Sequence, residues 1–226
     1  MLVLLSCAKT MSETSKVKVP LKTVPRFQKE ASGIALQMSQ FSVDELERLL
    51  RVNAKIAVEN YKRYQAFHAE GTPELPALLA YTGIVFKRLN AKDFSKVEFE
   101  YAQEHLRLTS FCYGLLRPLD VIRSYRLEGD VVLPEPGNQT MFSYWQSRLT
   151  DDIKKAGGIL CNLASDEMKS LFDWKRVEKE VHVITPEFQV WKNGKLASIV
   201  IYIKMSRGEM TRFILKNRIE NPEDLK

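Results

Sequence analysis

Short continuous apolar runs alternate along this chain with longer stretches of helical period, which predicts buried strands set among amphipathic helices. Leu2-Val3-Leu4-Leu5 is the first run, bounded by small polar residues, and predicts a strand buried on both faces. Residues 77–81, 159–164, 181–184, 188–191 and 198–203 read as further strands, and 125–128 alternates like one. Asn193-Gly194 carries a type I′ hairpin signal. Between these runs, Phe27, Ala31, Ile34 and Met38 recur at helical spacing, as do Ile56, Tyr64 and Phe67, and later Met141, Tyr144, Trp145 and Leu149. Capping boxes are expected at Ser42 with Glu45, Ser95 with Glu98, and Ser206 with Glu209, the last opening a final helix that stops before Asn221-Pro222. Residues 11–26 and 134–138 read as loops, the first of them basic.

Residues 105–122 hold the densest punctuation. Gly114 suits a tight turn, Pro118 suits the first position of a helix, and Asp120 would then fall in its first turn. The stretch predicts a hairpin running into a helix N-terminus with Arg117 beside it, an arrangement that can hold a phosphate. The alternative is an ordinary turn with Arg117 in a salt bridge to Asp120.

The 226 residues are 45% apolar and 10% aromatic, which excludes a disordered chain and allows a substantial core. Lys and Arg number 34 against 28 Asp and Glu, and the net charge of +6 permits an anionic partner without demanding one. Cys7, Cys112 and Cys161 are scattered and form no C-x-x-C pair, so a reducing, cytoplasmic setting is expected. No apolar run reaches the ~18 residues of a membrane span, so no membrane partner is expected. With no repeat and no linker, residues 1–226 read as one domain.

Open α/β sheets place ligands beyond the carboxyl ends of their strands. Ser6, Lys9 and Thr10 follow one predicted strand, and Ser165, Asp166 and Glu167 follow another. Together they would form a polar crevice for a nucleotide, nucleobase or other small anionic ligand. The structural alternative is that Ser165 caps a helix and Lys9 pairs with Asp166. No phosphate-binding glycine loop, nucleophile elbow or zinc-protease motif occurs, so no catalytic residue is assigned. His68, His105 and His182 show no ligand spacing, and neither a metal nor a cofactor is expected. In the last helix Arg207, Arg212, Lys216 and Arg218 do not form one stripe at about 100° per residue.

Several segments taken in order resemble the peroxide stress resistance protein YaaA family. They are Ser6-x-Ala8-Lys9-Thr10, His105-Leu106-Arg107, Tyr113-Gly114-x-Leu116-Arg117-Pro118-Leu119-Asp120, Tyr125-Arg126-Leu127-Glu128, Asn162-Leu163-Ala164-Ser165-Asp166-Glu167, Asn193-Gly194-Lys195 and Arg207-Gly208-x-Met210-x-Arg212-Phe213. The resemblance implies an α+β fold in a single domain, with a mixed, largely buried β-sheet flanked by helices and a helix-hairpin-helix-like element beside a basic cleft. It implies binding to the phosphate backbone of double-stranded DNA with little sequence specificity, and a part in limiting iron-driven peroxide damage. On that basis Lys9, Arg117, Arg126, Lys204, Arg207 and Arg212 are the expected contacts. The chain departs from the family pattern at Cys7, usually Pro, where a reactive thiol is a candidate, and at Gly129, commonly Met. The family pattern also continues past residue 226 with a hairpin containing glycine and aromatic residues, which is expected to be missing here. The second functional expectation is an uncharacterised enzyme acting on a nucleotide, nucleobase or other anionic metabolite in the crevice.

Overall fold

Four parallel strands and one antiparallel edge strand carry the rest of the chain. In the computed structural model, which describes residues 1–135 and 137–225, these strands are β1 (Leu2–Leu5), β2 (Leu106–Ser110), β3 (Gly114–Leu116), β4 (Ile159–Asn162) and β5 (His182–Ile184). Their order is β3-β2-β1-β4-β5, with only β2 and β3 antiparallel. Pro136, in the loop expected at 134–138, lies outside the described residues. β1 is central because it can be. Val3, Leu4 and Leu5 are buried, and Val3 stands between Leu106 of β2 and Cys161 of β4. A strand apolar on both faces needs cover on both, and the helices supply it. The result is a mixed α+β domain whose buried apolar residues form one contiguous cluster.

Local signals explain most of the helices. Gln28–Met38 buries Ala31, Ile34, Ala35 and Met38, the stripe its spacing predicts. The capping boxes at Ser42 and Ser95 both form, each serine accepting from the backbone of the third residue on while the glutamate reaches back. Thr140 caps Met141–Ala156, and Gly157 ends it at a φ of 61°. From that helix Trp145 enters the core, donates its indole N–H to the Phe111 carbonyl at 2.7 Å, and lies against Gly114. Gly114 has a φ of 71°, so the turn needs a glycine there, and the indole leaves no room for a Cβ.

Four expected elements differ from the structure. Residues Ala77–Ala80 are a short helix and not a strand, since a run of Ala and Leu that short carries no period and both residues favour helix. No helix begins at Pro118. Residues 106–116 form a β-hairpin, the Asp120 carboxylate accepts from the Arg117 N–H at 2.8 Å to close a turn, and Val121–Arg123 pairs antiparallel with Glu74–Pro76. The expected helix-hairpin-helix element is therefore not at 105–122. A helical hairpin does occur earlier, where Val43–Leu50 and Ala54–Ala66 pack together across Arg51-Val52-Asn53. Residues 125–128 join no ladder. Finally, the β-branched run at 198–203 is drawn into a helix, Val200–Asn217, so Ser206 is interior and caps nothing.

That last helix packs on Ile84–Leu89, and Gly208 makes the approach possible: a Cβ there would overlap the Val85 carbonyl and crowd Arg88. Arg212 fastens the same pair, donating to Leu89 O at 3.1 Å, Asn90 O at 2.9 Å and both oxygens of Asp93 at 2.8 and 2.6 Å. Gly208→Ala is expected to destabilise the fold by about 1–3 kcal/mol through overpacking. Gly33→Ala, in an exposed helix interior with nothing within 4 Å of the added methyl, is expected to stabilise by up to about 1 kcal/mol. Urea denaturation of the two variants beside the parent checks both signs.

Candidate functional site

Because β1 and β4 are adjacent and parallel, the segments that follow them leave from the same edge of the sheet. The chain goes from β1 to β2 on one side and from β4 to β5 on the other, so these segments diverge and open a crevice between them. Its base is closed by hydrogen bonds: the Ser6 hydroxyl accepts from the Ser165 N–H at 2.8 Å and donates to the Ser165 hydroxyl at 3.2 Å. Above it lies a cavity of about 380 Å³. Residues 5–10 form one wall, Thr82 and Gly83 with the start of the Ile84–Leu89 helix a second, residues 125–128 a third, and Ser165, Glu167, Met168, Lys204 and Arg207 complete it. Gly83 turns the chain at a φ of 114°, with the Thr82 N–H donating to Thr10 O at 2.9 Å. The interior is mainly apolar, with Phe86, Phe111, Leu127 and Leu163 on the lining.

The charges fall into two groups, with the Glu167 carboxylate, unpaired among the described residues, standing apart from both. Glu128, with a side chain 10% exposed, accepts from Lys9 Nζ at 2.6 Å and from Arg126 Nε at 3.1 Å. Two cations are thus spent on one carboxylate. Lys204 and Arg207 are different: both line the cavity, and neither side chain makes a hydrogen bond or ion pair among the described residues. Burial lowers the pKa of the half-buried Arg207, opposed by the field of Asp166. Asp166 is itself bound to Lys169 at 2.7 Å, and that hydrogen bond holds its carboxyl below the usual range.

Beneath the cleft runs a buried chain of hydroxyls. Tyr125 bridges Tyr81 and Ser110, each at 2.7 Å, and Ser110 accepts from the Tyr113 N–H at 2.8 Å. Burial raises the pKa of both Tyr81 and Tyr125 far above the ordinary phenol range, so they remain neutral donors. Tyr125 therefore offers the cavity its ring and not a free hydroxyl.

Of the residues singled out in the sequence, Ser6, Lys9, Thr10, Arg126, Ser165, Glu167, Lys204 and Arg207 meet at this cavity. Asp166 sits beside it, and its partner is Lys169; Lys9, expected to pair with Asp166, pairs with Glu128. Arg117 lies at another surface depression and donates to the fully buried Asp120 at 3.1 and 3.3 Å, the structural salt bridge that was the alternative for it. Arg212 is occupied at Asp93. Sequence reasoning missed Glu128, Thr82 and Gly83 as cleft residues. Glu128 carried a signal, since alternation in 125–128 places it on the same side as Arg126.

Among the described residues, no three His, Cys, Asp or Glu side chains gather into a group that could hold a metal ion. No helix of the described residues is long and apolar enough to cross a membrane.

Fold and cleft together define an α+β protein with a cation-rimmed crevice at the carboxyl edge of a mostly parallel sheet. The sequence model of the peroxide stress protein YaaA family matches residues 1–226, and the chain belongs to that family. It is 86% identical to a UPF0246 protein of Bacteroides thetaiotaomicron and 77% identical to one of Bacteroides fragilis, each match covering 100% of this chain and 90% of the relative. A UPF0246 protein of Crocosphaera subtropica is 36% identical over 100% of this chain and 91% of its own length. Membership supports a role in the peroxide stress response.

The Cys7 thiol, a candidate for reactivity, is pushed up to about 12, chiefly by burial and further by Glu167 and Glu128, against a hydrogen bond from Thr109. Burial also pushes Cys161 up to about 12, and Cys112 higher still. Since the thiolate is the nucleophile, native protein near neutral pH is expected to react with a thiol reagent far more slowly than free cysteine. The rate should rise about tenfold per pH unit until unfolding or pH 12 intervenes. Stopped-flow labelling of native and urea-unfolded protein checks this, and a fast native phase of one thiol would contradict it.

Proposed function

We propose that this protein acts in the peroxide response by gripping phosphate groups at the cleft, binding the backbone of double-stranded DNA with little sequence specificity and so helping to limit iron-driven damage. The observation that carries this reading is the convergence of Lys9, Arg126, Lys204 and Arg207 on one cleft from three separate parts of the chain. Cations gathered in this way serve backbone contact, which needs charge and position and no base readout. Arg117 and Arg212, occupied by buried or bidentate carboxylate partners, are left out of the contact set. Occupancy of the duplex backbone places the protein where iron-driven oxidation of DNA does its harm.

Salt-titrated binding to two unrelated duplexes tests this. With only Lys204 and Arg207 unpaired, the slope of log affinity against log salt is expected near about −2, at about −0.9 per phosphate. Arg207→Glu and Lys204→Glu should each weaken binding to both duplexes alike. Glu128→Gln, which releases Lys9 and Arg126, should tighten binding and steepen the slope toward about −3.6. Absence of binding at low salt, or binding indifferent to salt, would sink the proposal.

A second reading is favoured by the position of the cavity at the switch point between β1 and β4. There the protein is an uncharacterised enzyme or receptor for a small anionic metabolite, with the Ser6–Ser165 pair at the base of its site.

A further inference from the structure

Arg207 is a half-buried charged side chain without a hydrogen bond or ion pair among the described residues. It stands on the cavity wall, and burial lowers its pKa. A guanidinium that gives up hydration without a carboxylate partner carries a desolvation cost that a bound anion would offset. Its planar fork of donors matches two phosphate oxygens at once. Lys204 precedes it by three residues on the same helix, hence on the same face, and also lines the cavity unpaired. The two make a clamp of net charge +2, suited to a phosphate monoester dianion.

The remaining wall restricts what that phosphate can be attached to. Phe86, Phe111, Leu127 and Leu163 offer no polar atom beyond their backbone and Met168 only a thioether sulfur, and the Tyr125 hydroxyl is already bonded to Tyr81 and Ser110. Ligand hydroxyls placed against this side of the cavity would be left unpaired. A flat, weakly polar ring would lose little there and gain contact with the aromatic faces. The volume of about 380 Å³ falls within the ~300–1,000 Å³ range of small-molecule sites. It admits one nucleotide, whereas a duplex could meet only its rim.

We propose that the cavity binds a nucleoside monophosphate, the phosphate held by Arg207 and Lys204 and the base laid against the Phe111–Leu127 side. This rests on the reading of the cleft as a site for a small anion and names the ligand class of that site. The Ser6 and Ser165 hydroxyls at the base, and the Glu128 carboxylate on the wall, supply hydrogen-bonding groups for the polar edges of such a ligand.

Isothermal titration of the whole chain tests it with AMP, GMP, CMP and UMP, with ribose 5-phosphate and inorganic phosphate as phosphates without a base, and with the matching nucleosides as bases without a phosphate. At least one nucleotide is expected to bind about tenfold or more tighter than ribose 5-phosphate and than its own nucleoside. Arg207→Ala, with Lys204→Ala as a second variant and circular dichroism to confirm folding, should lose about tenfold for the nucleotide and leave the nucleoside nearly unchanged. Equal affinity for nucleotide and ribose 5-phosphate would overturn the inference while leaving a small-anion site. No binding of any phosphate compound would overturn both, and it would leave duplex binding to be judged by its own salt titration.

Discussion

Everything at the cleft depends on β1 and β4 being paired in parallel at the centre of the sheet. Parallel pairing forces both strands to end on the same edge, and the sheet then grows outward in opposite directions, to β2 on one side and β5 on the other. The diverging segments cannot fill the space between them. What makes that edge a site and not an unsupported gap is the Ser6–Ser165 linkage, which satisfies a backbone N–H and two hydroxyls at the point where the ladder stops. The apolar continuity of Leu2–Leu5 is thus felt in the position of every cleft residue.

The remaining walls are brought in by packing and not by pairing. Trp145 fixes the β2–β3 turn and so Phe111, while Gly208 and Arg212 seat the final helix on Ile84–Leu89. Both helices then contribute to the cavity, one through Val85 and Phe86 and the other through Lys204 and Arg207. The Arg212 motif, which looks like a contact residue when only its charge is considered, acts as a fastener that positions Arg207. Position 129 shows a comparable substitution of role. Its missing side chain is replaced by the Phe142 ring, which occupies the space a Cβ would enter.

Signals confined to a few neighbouring residues were readable in the sequence. The Ser42 and Ser95 capping boxes, the Asn193-Gly194 turn at positive φ and the strand at Leu2–Leu5 all rest on contacts within four residues or on a run with no polar break. Short apolar runs were not readable with the same security. Ala77–Ala80 and Val200–Ile203 lack enough length to show a period, and tertiary packing chose helix for both. For the site, the strand-end rule located Ser6 to Thr10 and Ser165 to Glu167 without knowledge of the sheet order. It could not say which arginines were free: the Arg117–Asp120 bridge stood only as an alternative, and Asp93 becomes the partner of Arg212 only after the chain has folded.

The division of charge within the cleft has a consequence for how it discriminates. Lys9 and Arg126 are held by Glu128, so they offer an incoming anion a field already reduced by one carboxylate, and full contact with them requires breaking a 2.6 Å ion pair. Lys204 and Arg207 carry no such penalty and stand on a helix that bounds the cavity. On the proposed reading, an anion is drawn first to the helix side, where the guanidinium gains the partner that the protein itself does not supply. Only a ligand carrying a second acceptor, or a long polyanion that lies across the whole rim, has enough charge to compete with Glu128 for the other pair. In that proposal Glu128 sets a threshold, separating ligands that can use half of the cleft from those that can use all of it.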